Sequence, residues 1–181
     1  MVLTDKPSEV YDKYWIRVRN EVNPYLGSNE FVGKWMEFVY LKNVDEVWAK
    51  IEDATRMGRL GIAAKVATSR PNPNQIRDDL RLVCVYTCDW RVREDVLRVR
   101  KALRDCGIVR KISYKTDADT YAGKYRQFGD KGIAKYYSDG TEAVLEEHVS
   151  REERGKQAQK MRAWMLEHPS RVDEVKKRYG L

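Results

Sequence analysis

Three lysines stand at the ends and middles of segments that read as strands: Lys34 in GKWMEF, Lys65 in AAKVAT and Lys115 in SYKTD. Two arginines, Arg70 and Arg77, flank the proline loop SRPNPNQ. Burying a charge without a partner is costly, so each cation needs a carboxylate, a solvent-facing position or an anionic ligand. Arginine suits bidentate phosphate contact, and lysine suits point-charge binding or, when desolvated, proton transfer. Lys34, Lys65, Arg77 and Lys115, with Arg70 near the loop, therefore form a candidate phosphate-holding set. Taken singly, each is more simply explained as a solvent-facing strand position.

Five tryptophans and eleven tyrosines add a second feature. Trp35 adjoins Lys34, Trp90 adjoins Arg91, and the stretch from Tyr121 to Arg126 interleaves rings with cations. Such mixtures are what a base-stacking surface requires, which makes Trp35, Tyr86 and Trp90 the stacking candidates. Core packing beside cationic neighbours is the plainer alternative, and Trp48, on the apolar stripe of a helix, belongs to it. Cys84 and Cys88 supply two thiols, short of a four-ligand zinc site, and His148 and His168 are distant in sequence. No metal or cofactor is expected. Phosphate-loop, dinucleotide and nucleophile-elbow motifs do not occur.

The elements that must position these residues read as a mixed fold. Ser8 to Arg19 reads as a helix, and Asn23, Pro24 and Gly27 break it. Strands follow at Lys34 to Leu41, Ile62 to Thr68, Leu80 to Thr87 and Lys111 to Thr116, with GIAKYY as another. Val44, Val47, Trp48, Ile51 and Ala54 recur at helical steps, predicting a helix from Asn43 to Met57. Val92, Val96, Val99, Leu103 and Cys106 predict a second, capped by Gly107. DADTYAGKY reads as an irregular loop leading into a short strand. Beyond Thr141 the composition turns charged and helical, with Ser150 and Glu153 spaced as a capping box and a second terminal helix after Pro169. Met161, Trp164 and Met165 give the first of these helices an apolar stripe that could dock on the body or on a partner.

With 181 residues the chain is long enough for one domain, taken as residues 1–150, followed by a basic helical extension over 151–181. The extension carries nine basic residues against five acidic ones, and the whole chain has a net charge of +7. That balance favours RNA, nucleotides or phosphorylated proteins as partners. The beginning of the sequence has no signal-like apolar run, and no window approaches a membrane span, so a cytoplasmic protein is expected, with Cys84, Cys88 and Cys106 as reduced, mostly buried thiols.

In order, GKWMEFV, VDEVWAKI, GRLGIAAKVAT, LVCVYTCDW, EDVLRVRKALRDCG and SYKTDADTYAGKY resemble the basophilic-leukemia-expressed-protein-like domain, over about Gly33 to Tyr125. That family resembles the messenger-RNA cap-binding translation initiation factor 4E in fold. The resemblance implies an α+β domain with a curved antiparallel sheet backed by helices. A second resemblance, to bacterial phosphothreonine lyases, implies roles for single residues. Lys34 matches their first lysine, Lys65 the general base and Arg77 the phosphate-holding arginine, with Lys115 where an arginine would stand. The histidine that acts there as general acid falls on Met36. Losing such an acid costs roughly 10²- to 10⁴-fold in rate. The expected function is thus phosphate recognition, of RNA or a nucleotide, through a cationic cleft on the sheet. The alternatives are β-elimination with Lys65 as base, and protein interaction through the terminal helices.

Overall fold

Two runs rich in branched and aromatic side chains build the centre of this chain. They form β2 (Gly33–Tyr40) and β4 (Leu80–Thr87), eight-residue strands that pair antiparallel along their whole length. The computed structural model describes residues 5–72, 75, 77–124, 133–138, 144–146, 151–167 and 169. Around the β2–β4 pair lie β1 (Trp15–Arg19), β3 (Ala63–Ala67), β5 (Ile112–Thr116), β6 (Tyr136–Ser138) and β7 (Val144–Glu146). Every neighbouring pair is antiparallel, in the order β1-β3-β4-β2-β5-β6-β7.

Because successive side chains point to opposite faces, each strand divides its residues between two environments. One face carries Ile16, Val18, Trp35, Val39, Ala64, Val66, Val83, Val85, Tyr114 and Tyr136. These form the core with α1 (Val44–Arg56) and α2 (Arg93–Asp105). The helices face it with Val44, Trp48 and Ile51 from α1, and with Val96, Val99 and Leu103 from α2. Full burial of a side chain of this size contributes about 1.5–3 kcal/mol. Glu94 and Asp95 stand in the first turn of α2, where the helix dipole favours acidic groups. Gly107, at φ +95°, turns the chain out of that helix.

The segment read as a helix from Ser8 to Arg19 is instead a one-turn 3-10 helix at Pro7–Glu9 followed by β1. Ile16 and Val18 are buried while Arg17 and Arg19 are exposed, an alternation that a strand on the sheet edge satisfies and a helix does not. DADTYAGKY differs from the expected loop at its start, where α3 (Asp117–Tyr121) is a short helix whose N-cap, Thr116, accepts a hydrogen bond from the Asp119 amide, and the short strand expected after it lies outside the described residues. The last strand candidate shrinks to β6, and β7 is a strand where charged helix was expected. The helical tail begins at α4 (Arg151–Glu167), and Ser150 and the helix expected after Pro169 lie outside the described residues. Trp164 and Met165 are half-buried, and Arg162 Nη1 lies 3.6 Å from Glu30 Oε2, ahead of β2. Among the described residues no helix is long and apolar enough to cross a membrane.

Candidate nucleic-acid interface

The face of the sheet turned away from α1 and α2 is basic and aromatic. Its strand positions are Trp15, Arg17 and Arg19 on β1, Lys65 on β3, Cys84 and Tyr86 on β4, and Lys34, Met36, Phe38 and Tyr40 on β2. Ser113, Lys115 and Tyr137 continue it across β5 and β6. Among the described positions on β1 to β6 this face holds no aspartate or glutamate. Register sets the rows: Arg17, Lys65, Cys84, Met36 and Ser113 lie across the sheet in one, and Tyr86, Lys34 and Lys115 in the next.

Lys34 and Lys115 stand directly opposite each other, a like-charge pairing that is unfavourable unless something intervenes. For Lys34 that group is Asp117, at the start of α3: its carboxylate accepts from the ammonium, and Thr120 Oγ1 accepts a second hydrogen bond at 2.9 Å. The Lys115 ammonium donates to the Lys124 carbonyl, and burial pulls it down from 10.5 to about 8. Arg100, buried on the helical side, is likewise satisfied, donating to Ser138 Oγ and to the carbonyls of Ile108 and Arg110.

Lys65 is different. Its side chain is buried, with 5% of the residue exposed, and its ammonium has neither a carboxylate nor a hydrogen-bond acceptor among the described residues. It lies 4.1 Å from the centre of the Trp15 ring and 5.9 Å from that of Tyr86, whose ring Lys34 approaches to 5.4 Å. Two aromatic faces supply a cation–π contact but no lone pair. Burial lowers Lys65 from 10.5 to about 8, and the neighbouring Lys34 and Arg17 reinforce the shift. The Tyr86 hydroxyl and the Trp15 indole N–H are buried without a hydrogen-bond partner among the described residues. Burial holds the Tyr86 phenol well above its ordinary range, so it stays a neutral O–H donor. The neighbourhood thus combines a desolvated ammonium with two side chains whose donors are unpaired, an environment in which an acceptor of negative charge would be stabilised.

Of the residues singled out in the sequence, Lys34, Lys65, Lys115 and Tyr86 come together here. The others do not. Arg77 is exposed beyond the opposite end of β4, paired with Asp79. It stacks near Tyr40, which is six residues, about 20 Å, from Lys34 along β2. Arg70 lies past the end of β3, over the Tyr14 ring and bonded to the Asp12 carbonyl. The lysine-to-arginine spacing of the lyase pattern therefore does not build one site in this chain. Trp35 and Trp90 are core residues: odd-numbered alternation turns Trp35 to the helical face, where its Nε1 donates to the Val96 carbonyl, and Trp90 packs edge-on against Phe31. Neither can stack on a base.

Trp15, Arg17, Asp117 and Phe38 were missed. Trp15 and Arg17 were hidden by reading their strand as a helix, whereas Asp117 had a signal in SYKTD, two residues beyond Lys115. Cys84, fully buried between Lys65 and Met36 in the row, has its thiol pushed up by burial. Cys88 and Cys106 are half-buried, and all three thiols are free.

The architecture has counterparts. Schistosome eIF4E complexed with m7GpppA and 4E-BP superposes with a TM-score of 0.54 at 17% identity, covering 75% of this chain and 76% of that one. The same protein complexed with m7GpppG and 4E-BP gives 0.53 at 17% identity over the same shares. At that identity the likeness establishes the fold: an α+β domain with an eIF4E-like antiparallel sheet backed by helices. The family model described as basophilic leukemia-expressed protein Bles03 matches residues 28–123, more than half of the chain and the whole span from β2 to α3. By that match, the chain belongs to the Bles03 family, built on an eIF4E-like fold.

Proposed function

We propose that this domain binds RNA or a nucleotide through the open face of its sheet, seating a phosphate against Lys65 with Lys34 and Lys115 as flanking cations. One observation carries the reading: among the described residues the buried Lys65 ammonium has no acceptor and the neighbouring Tyr86 and Trp15 side chains hold unpaired donors, on a face whose strand positions from β1 to β6 have no carboxylate. A phosphate oxygen supplies the missing acceptor and offsets the cost of burying the charge. Two flanking lysines, with Asp117 neutralising Lys34, leave the neighbourhood positive. Solved proteins of this fold support the nucleotide reading, since the schistosome eIF4E structures hold m7GpppA and m7GpppG.

Lys65 would act as a binding residue. As a base in β-elimination it would need the acid that Met36 cannot supply and the arginine that lies at the far end of β2. Fluorescence polarisation of a labelled single-stranded RNA at low salt tests the proposal, because phosphate contacts are strongest there. Binding that weakens with salt and is lost in Lys65→Met is the expected result. Undetectable binding at low salt by the folded wild-type protein overturns it.

A further inference from the structure

A single phosphate leaves half of the open face unexplained. One pleat beyond the row of Lys65, Cys84 and Met36, Phe38 stands opposite Leu82, and one pleat further Tyr40 stands opposite Leu80. Phe38 is 48% exposed and Tyr40 43%, on a central strand. The backbone under Phe38 is held: Arg110 pairs with Glu37 and donates to the Phe38 carbonyl. At the end of the strand the Arg77 guanidinium lies 6.0 Å from the Tyr40 ring, anchored by Asp79. Along β2 the order is therefore buried ammonium groups, exposed ring, exposed ring, exposed guanidinium.

We infer that β2 is a track for single-stranded RNA, with a phosphate at Lys65, successive bases lying on Phe38 and Tyr40, and a later phosphate at Arg77. This rests on the reading proposed above and adds to it the length and chemistry of the ligand. The distance from Lys34 to Tyr40, about 20 Å, suits a run of nucleotides and exceeds what a mononucleotide can span. Aromatic side chains presented on a sheet face stack on any base, while cations at either end track the backbone. A peptide adding itself as a strand is disfavoured, because β2 is hydrogen-bonded along its whole length to β4 and, on its other side, paired with β5 over Gly33–Met36, while the Phe38 carbonyl beyond that stretch already accepts from Arg110. Charge complementarity also favours RNA, since Arg17 and Arg19 are exposed on the same face.

The test is fluorescence polarisation at low salt with a labelled mononucleotide, a tetranucleotide and its abasic counterpart, on wild type, Phe38→Ala, Phe38→Trp and Lys65→Met. An amphipathic peptide serves as a control probe. Phe38 is exposed, so its variants should fold, which circular dichroism melting verifies. The tetranucleotide should bind more tightly than the mononucleotide or the abasic strand. Phe38→Ala should weaken it roughly tenfold, as expected for one lost stack, and Phe38→Trp should retain it. Equal binding of intact and abasic strands, or of wild type and Phe38→Ala, overturns the track. If Lys65→Met still loses binding in that case, the phosphate reading stands alone. No binding of the mononucleotide or of either strand by any form removes both, and Phe38-dependent capture of the peptide without such binding makes the face a protein-docking surface instead.

Discussion

Replacing Lys65 with methionine tests the buried ammonium directly, because methionine keeps most of the volume and discards the charge. In the folded chain Lys65 drops from 10.5 to about 8, chiefly through burial, with Lys34 and Arg17 lowering it further and Cys84 and Asp117 opposing. Below pH 8 the group is protonated in both states and the folded state carries the cost of desolvation. Between about pH 8 and 10.5 the unfolded chain keeps the proton and the folded chain does not, so wild-type stability rises with pH across that window. The full rise is about 3 kcal/mol. Lys115, also at about 8, titrates in the same window and contributes a rise of its own. Lys65→Met should therefore be more stable than wild type at neutral pH and should gain less on raising the pH. Urea denaturation at about pH 7 and about pH 9.5 measures both; with typical slopes, a difference of this size moves the midpoint by about 1 M or more. A Lys65→Met variant less stable than wild type at neutral pH, or one with an unchanged pH response, would refute the picture of an unsatisfied ammonium.

Lys34→Met should behave in the opposite way, losing about 3 kcal/mol in urea denaturation, because it leaves Asp117 buried and unpaired. RNA affinity should fall as pH rises through about 8, where Lys65 and Lys115 lose their protons, and a flat affinity profile from about pH 7 to about pH 9.5 would count against their role. Trp35→Ala should cost about 3–5 kcal/mol of stability by opening a cavity under α2. RNA affinity, measured on the folded fraction, should not change, since that ring lies on the opposite face.

Local patterning in the sequence determined the central strands and the two packed helices, because short runs of branched and aromatic side chains mark β2 and β4 and burial imposes helical steps on α1 and α2. It also marked Lys34, Lys65 and Lys115 as anomalies, since an ammonium within a strand candidate needs an explanation wherever the chain goes. Strand alternation could even have separated Trp35 from Lys34, as neighbours in a strand point to opposite faces. Their meeting was decided only by tertiary structure. The strand order puts β3, β4, β2 and β5 side by side, and the register sets Lys34 opposite both Tyr86 and Lys115. The same pairing sends Arg77 to the far end of β2 and leaves Phe38 and Tyr40 uncovered, facts that depend on long-range contacts no local spacing records. Asp117 shows the difference at one residue: its type was legible, but that it neutralises Lys34 and not Lys65 follows from where α3 folds back against β2.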